Sequence, residues 1–460
     1  MYPEKAPENK PVRVAVIGGG PAGTFFAINY LRLAAERGIK AELTIFEPKQ
    51  FEKGGASNCN YCQGVISSSL VDELCRLGLK IPERVIQQRI NRYRLITGAG
   101  SVCLDAPEGA HIFTVYRGHG PNPDESGPLS FDQFLLDTAL KLGARKVSER
   151  IARIRFDKGK GPAPAVLTDY EGRSYPADMV IGAFGVNSTT GHEFEQLGFG
   201  YQRPSTHAAV MAEFPLVRAV DPEGSGSEIT VLIPGSRPVQ FAVLTPKKDY
   251  VTVSLIGKGL TLKDIEPFMP GLTSSSSGAG LEVANSPRCR CAPRFPVRHS
   301  PRLAMAHCMI VGDAGISRYY KKGIDSALRS ASLAARVLAE YGPADVKNIE
   351  RCYERPIQRE FRFDNLLGQM MFRIYLMINR YPLLTLSHLR LARGECALAG
   401  IAKQRLRWVL WNMFTGDAQY RKILLHCLDP RLVFGVICSI LRTLVGGKKM
   451  LQQGNCNADR

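Results

Sequence analysis

One stretch near the N-terminus constrains the fold more than any other: residues 12 to 50, VRVAVIGGGPAGTFFAINYLRLAAERGIKAELTIFEPKQ. A run of buried-strand character, VRVAVIG, leads into Gly18, Gly20 and Gly23 in G-x-G-x-x-G spacing. A helical stretch follows, and then a second strand, ELTIFE, closed by Glu47. In that order the pieces make a dinucleotide-binding βαβ unit. Gly18 permits the tight turn and Gly20 lets the backbone approach a pyrophosphate. Pro21 and Ala22 open the helix, whose first amides face the phosphates, and Gly23 lets it pack close to the strand. Glu47 stands where an acid accepts the ribose 2′-hydroxyl and repels a phosphorylated ribose, which leaves FAD or NAD as the ligand.

A second segment far downstream favours FAD. The chain from Cys308, CMIVGDAGISRYYKKGIDSALRSASLAARV, reads as a strand ending at Gly312-Asp313, a loop, and a long helix with small residues along one side. The two segments are nearly 300 residues apart, yet they fit one extended ligand.

Length and composition bound the rest. At 460 residues, 45% hydrophobic and 22% charged, the chain has the make-up of a globular protein with room for more than one domain. The N-terminal MYPEKAPENKPVR has no apolar h-region and runs into the first strand, so neither a signal peptide nor a transit segment is expected and the reducing cytoplasm is the expected location. The 12 cysteines have no framework spacing and read mostly as free thiols. The longest strictly apolar run, LVFGVICSIL, is well short of the roughly 20 residues that span a bilayer. A net charge of +18 without any recognisable nucleic-acid module gives no reason to expect a nucleic-acid partner.

Cys59 and Cys62, in GGASNCNYCQGVISSS, form a C-x-x-C pair in a Gly/Ser-rich loop. Such a pair is half a zinc site, a redox couple, or two unrelated thiols. Zinc has little support, because the other close pair, Cys289 and Cys291, is C-x-C and no histidines cluster with it. No metal is expected.

Taken together, the chain resembles the FAD-dependent oxidoreductases of the geranylgeranyl reductase type, relatives of p-hydroxybenzoate hydroxylase. The likeness covers about the first three-quarters: GGGPAG at 18–23, Glu47, CQGVI at 62–66, FDQFLLDTALKLGA at 131–144, ADMVIGAFGVNS at 177–188, FAVLTPKKDYVTVSLIGKG at 241–259, and VGDAG followed by KKGIDSAL. The resemblance implies an α/β fold: a two-dinucleotide-binding, Rossmann-like FAD domain from residues 11–75, 131–190 and 306–340. Residues 76–130 and 191–305 would form an inserted substrate-binding sheet domain, and 341–460 a C-terminal helical region. It also implies that Asp313 meets the ribityl chain, that Gly323 and Ile324 begin a helix aimed at the flavin, and that Cys62 with Gly64 lies on the substrate side of the ring as the candidate catalytic position.

There are departures from the pattern. Related hydroxylases carry an Asp where this chain has Phe184, which weakens a direct NADPH-using monooxygenase. The reductases place an arginine just ahead of the helix at Phe131, where Pro128 stands here, so Arg117 is the substitute candidate. An aromatic strand motif is altered between Gln240 and Pro246. Arg318, Lys321 and Lys322 read as a solvated loop or as cations for reduced flavin or an acidic substrate. Tyr319 and Tyr320 read as packing, and His119 as incidental.

The reaction these readings favour is reduction of a carbon–carbon double bond in a hydrophobic, isoprenoid-like or lipid substrate, with Cys62 or a tyrosine as proton donor. NAD(P)H or a reduced carrier protein would supply the electrons. A monooxygenase or dehydrogenase of the same fold, or an electron-relay flavoprotein, is the alternative. Residues 351–460 hold 18 Lys/Arg against 7 Asp/Glu, a net +11. There QRLRWVLWNMF sets Arg405 and Arg407 among Trp408, Trp411 and Phe414, and Arg431, Arg442, Lys448 and Lys449 bracket the apolar run. These segments are expected to lie on an anionic membrane surface, on its inner face, unless they pack on the FAD domain.

Overall fold

The computed structural model describes residues 10–53, 56–60, 63–110, 112–121, 130–156, 165–219, 228–234, 238–268, 281–395 and 400–445. Strands β1 (Val12–Ile17) and β2 (Ala41–Phe46) alternate their apolar side chains so that Val14, Val16, Leu43 and Ile45 enter one core while Ala15, Ile17 and Phe46 enter another. A strand buried on both faces suits a parallel sheet covered on each side. The six-stranded sheet runs Ala304–Met305, Cys308–Ile310, Met179–Gly182, β1, β2, Arg145–Val147, and all but the first strand are parallel. Helices α1 (Pro21–Glu36), α2 (Ser68–Arg76) and α3 (Phe131–Lys141) pack on one face. The other face is covered by α4 (Gly191–Gln196) and a three-stranded sheet of residues 151–156, 165–169 and 174–177. The long α5 (Gly323–Tyr341) returns to the first face beside α1.

A second, nine-stranded sheet is antiparallel except where Glu228–Ile233 runs beside Arg92–Thr97. Its long strand Thr206–Ala219 and the hairpin Val239–Pro246 with Tyr250–Gly257 are apolar on both sides, so both faces must be covered. Val210, Phe214 and Leu255 form one core, and Ala209, Phe241 and Val243 belong to another. Five C-terminal helices close over the second: α6 (Arg355–Ile378), α7 (Pro382–Arg393), α8 (Gly400–Thr415), α9 (Tyr420–Cys427) and α10 (Pro430–Val445).

This packing corrects the expectation for QRLRWVLWNMF. Trp411 and Phe414 of α8 are buried, and Trp411 meets Tyr93 edge to face at 5.4 Å. Trp408 stacks on His426, Arg405 pairs with Asp429, and Arg407 reaches Asp105. The segment is core because its aromatics find the sheet and its arginines find carboxylates. No single helix among the described residues is long and apolar enough to cross a membrane.

Inside the second sheet, Arg94 Nε donates to Glu228 Oε1 at 2.5 Å, and the glutamate side chain is 1% exposed. Burial pushes the Glu228 carboxyl up, and the hydrogen bond and charge of Arg94 oppose the shift. Arg94→Met is therefore expected to cost about 3–5 kcal/mol near neutral pH. A carboxyl whose folded pKa lies above its unfolded value contributes most stability at low pH and loses it as pH rises. The penalty should accordingly shrink toward the unfolded carboxylate range, and Arg94→Met with Glu228→Gln should recover much of it. Urea melts at two pH values check this; a penalty that grows as pH falls contradicts it.

Candidate functional site

β1 ends at the glycine turn, where side chains have no room. Gly18 has φ +109°, and a Cβ at Gly23 would come within 1.9 Å of the Gly18 carbonyl oxygen. Gly20 faces the opening: its nearest neighbours would be Arg117 Nη2 at 3.6 Å and Asp132 Oδ2 at 3.9 Å from a built Cβ. Pro21, Ala22 and Gly23 begin α1, whose first amides point at that opening. Glu47, 7% exposed, accepts from the Gly19 amide at 2.8 Å and from the Lys49 amide at 2.9 Å. Burial pushes its carboxyl up against those two hydrogen bonds.

A network missed at the sequence level braces this turn. Arg117 Nε and Nη2 donate to Asp132 at 3.0 and 2.9 Å, and Asp132, in the first turn of α3, is fully buried. Asn60 also donates to Asp132, and Lys49 Nζ donates to Asn60 Oδ1 at 2.7 Å and to the Cys59 carbonyl at 2.8 Å. Arg117 thus stands beside the turn, paired with the Asp132 carboxylate. Pro128 itself lies outside the described residues. The acid in the first turn of the helix at Phe131 was the signal that could have found Asp132.

The second segment meets the first directly. Gly312 has φ +66°, and a Cβ there would lie 2.7 Å from the Ala22 Cβ. The next residue, Asp313, is half-buried, and its Oδ1 is buried without a hydrogen-bond partner among the described residues. Burial pushes its carboxyl up, opposed by the Ser317 hydroxyl and the Arg117 charge. A Cβ at Gly323 would sit 3.4 Å from Asp313 Oδ2, so the start of α5, Gly323 and Ile324, lies beside the same carboxylate. Gly18, Gly20, Glu47, Arg117, Asp313 and Gly323 are brought together around one opening.

Gly64 is a backbone strut. At φ +69° a Cβ would strike the Val115 carbonyl oxygen at 1.8 Å, and its own carbonyl accepts from the Val115 amide at 2.7 Å. Cys62 lies outside the described residues. Cys59 lies near the other cysteine pair: burial, and then Cys59, push the Cys291 thiol up to about 12. Among the described residues no group of His, Cys, Asp and Glu could hold a metal ion.

Between Asp313 and α5 the chain is strained, with Tyr320 and Lys322 both left-handed at φ 58° and 56°. Tyr320 does more than pack. His207 Nδ1 lies 2.7 Å from its Oη, and the Oη donates to Gln240 Oε1 at 3.1 Å, joining this loop to the nine-stranded sheet. Burial, and then Tyr319, push the Tyr320 phenol up, and burial pushes His207 down. Arg318 serves the fold, bonding the Gly416 carbonyl and pairing with Asp364, and Lys322 pairs with Asp325 and Asp417. Lys321 makes no ion pair among the described residues, lies 5.9 Å from the Phe241 and Phe414 rings, and is pushed down to about 8 by burial. Phe184 packs on Phe194 at 4.7 Å, and His119 Nδ1 is buried without a partner among the described residues. A buried pair, Lys247 Nζ to Glu213 Oε1 at 2.7 Å, places the Lys247 Nζ 4.1 Å from the Tyr116 ring; Glu213 within the run AAVMAEFPLV was its trace in the sequence.

An orphaned buried carboxylate oxygen, a turn without side chains and a buried acid held by an amide match what a flavin dinucleotide presents: hydroxyls, a pyrophosphate and a ribose diol. No family model matches the chain. Over 345 residues it is 24% identical to the geranylgeranyl diphosphate reductase of Synechocystis sp., covering 71% of this chain and 75% of that protein. Its fold is that of a geranylgeranyl bacteriochlorophyll reductase-like protein from Thermoplasma acidophilum, with TM-score 0.61, 17% identity, and coverage of 94% of this chain and 100% of that one. The flavin-dependent halogenase CmlS gives TM-score 0.61 at 17% identity, covering 91% and 76%. The fold is the one these flavoproteins share, and together with the sequence likeness to the reductase it marks an oxidoreductase. Within that class the chain is geranylgeranyl reductase-like in its sequence, as its motifs led one to expect.

If Glu47 and Asp313 accept from a bound flavin, Glu47→Gln and Asp313→Asn should each weaken flavin binding about 10- to 100-fold, the worth of a hydrogen bond to a charged group. Fluorescence titration of the apoprotein reads this out, and unchanged affinity in both variants removes these residues from the site.

Proposed function

We propose that this protein is an FAD-dependent oxidoreductase that reduces carbon–carbon double bonds of a hydrophobic, isoprenoid-like substrate. The observation that carries the cofactor assignment is the meeting of Gly312 with Ala22, which sets Asp313 and the start of α5 at the opening that Gly20, Glu47 and Arg117 line. The amides at the start of α1 would hold the pyrophosphate, Glu47 the ribose and Asp313 the ribityl chain. Bound FAD supplies two-electron chemistry. The named activity of the cyanobacterial relative supports an isoprenoid substrate.

Reduction of a double bond needs a proton at the second carbon. Tyr320 keeps its proton at Oη because burial raises its pKa, and it sits where the loop before α5 meets the sheet. His207 and Gln240 orient the hydroxyl. Cys62 remains the alternative donor. The aromatic packing of Phe184, where related hydroxylases carry an acid, favours reduction over oxygen insertion.

Purified protein is expected to be yellow and to release FAD on denaturation, read by absorbance and chromatography; a colourless protein that FAD cannot reconstitute refutes the assignment. Reduced chemically and held without oxygen, it should be reoxidised by a member of an isoprenoid alkene panel. Turnover that needs oxygen and inserts it makes the protein a monooxygenase, and absence of both makes it an electron relay. Tyr320→Phe should slow alkene reduction about 10²-fold with FAD still bound. If its rate is unchanged while Cys62→Ser slows, the proton comes from the thiol.

A further inference from the structure

The last helix is inverted for a protein in water. On α10 the buried side carries Leu432, Gly435, Ser439 and Thr443, small or polar apart from the leucine. A Cβ at Gly435 would lie 2.4 Å from the Ala402 Cβ of α8, and Ser439 Oγ donates to the Ser387 carbonyl of α7 at 2.7 Å. The opposite side shows Phe434, Ile437, Leu441 and Leu444 to the surface, Phe434 at 62% and Leu441 at 56% exposed. A water-facing helix turns its apolar stripe inward. Small residues at the helix contact and large apolar ones outside are the arrangement of helices in lipid.

The patch does not end at α10. On α6, Phe363, Leu366, Met370, Ile374 and Met377 recur at helical spacing on the exposed side, although their helix buries Met371 and Phe372 against the nine-stranded sheet. The faces of α6 and α10 are continuous, because Ile374, Val433 and Ile437 are exposed and also line one apolar cavity of about 340 Å³ between the C-terminal helices and the strand Arg92–Thr97. That is the size and character of a small-ligand cavity, and its mouth opens among the exposed apolar groups. The surrounding charge is one-sided. The side chains of Arg362 and Arg373 on α6, Arg380 just beyond it, Arg421 and Lys422 on α9, and Arg431 and Arg442 on α10 make no ion pair among the described residues. The acids of α6, Glu360 and Asp364, and Asp429 just ahead of α10 are paired with Arg329, Arg318 and Arg405. α9 and α10 meet at 60°, so they do not form one continuous spanning rod.

We propose that the exposed faces of α6 and α10 dock flat on an anionic phospholipid bilayer, with Phe434, Leu441 and their neighbours below the headgroups, the arginines at phosphate level, and a hydrocarbon chain entering the cavity. A large exposed apolar patch needs a cover. A second copy of this chain is a poor one, since a two-fold contact through this face would set the same cations against each other. A membrane supplies both the apolar interior and the negative charge. This docking keeps the α10 part of the sequence-level expectation and drops its α8 aromatics, which the sheet buries, and it does not depend on which reaction the flavin site performs.

The test is flotation of the full-length flavin-loaded protein with vesicles of phosphatidylcholine alone and of equal parts phosphatidylcholine and phosphatidylglycerol. It should float with the anionic vesicles, and less as salt rises. Phe434→Ser with Leu441→Ser, at exposed positions that leave the core intact, should weaken binding at least about tenfold while thermal melting and flavin content stay unchanged. Arg431→Gln with Arg442→Gln should weaken binding to anionic vesicles only. The proposal is overturned if the protein floats with neither vesicle, if the Phe434/Leu441 variant binds as well as the parent, or if lipid-free protein is a dimer that the same variant converts to monomer without any vesicle binding.

Discussion

The close approach of α1 and α5 is the constraint on which the rest of this structure depends. Gly312 lies between the two helices, where a Cβ would be 2.7 Å from the Ala22 Cβ of α1 and 3.6 Å from the Ala327 Cβ of α5. Any residue larger than glycine there would push the helices apart, and φ +66° would strain it as well. The approach carries the Asp313 carboxylate to the turn that begins α1, so two segments separated by most of the chain meet there. Ser330 Oγ accepts from the Gly312 amide at 2.9 Å and Tyr353 Oη donates to the Ile310 carbonyl, which holds the strand end from behind.

The C-terminal helices belong to the same construction. Asn365 of α6 accepts from the Tyr319 amide at 2.9 Å and donates to the Ser317 carbonyl at 2.8 Å, and Tyr420 of α9 donates to the Tyr319 carbonyl at 2.6 Å. A loop with two left-handed non-glycine residues stays put only when its surroundings over-determine it. The helices supply that restraint and cover the sheet, so the apolar face and the proton-bearing Tyr320 are positioned by the same elements. The surface left to α6 and α10 is then apolar because their polar or small groups are already engaged inside.

The glycine fingerprints were legible because few backbones tolerate G-x-G-x-x-G between two strands, and Glu47 followed from spacing. Arg117 was legible only as a stand-in, since nothing local shows that a loop arginine will meet Asp132 and Gly20. Tyr320 was read as packing because its partners, His207 and Gln240, are distant in sequence and become neighbours through the sheet. The Trp and Phe residues of α8 looked like membrane anchors for the same reason: an amphipathic stretch announces that it needs an apolar partner without naming it.

By itself the sequence determined the βαβ unit, the glycine positions that admit only a bare backbone, and the acids that follow the strands, because turns and strand alternation are local requirements of covalent geometry. Tertiary structure alone decided which apolar faces were used. α8 was taken by the sheet through Trp411 against Tyr93, while α10 turned Gly435 and Ser439 inward and left Phe434 outside. Burial is a contest among distant surfaces for one another, and its outcome depends on shape and close approach, which no window of neighbouring residues contains.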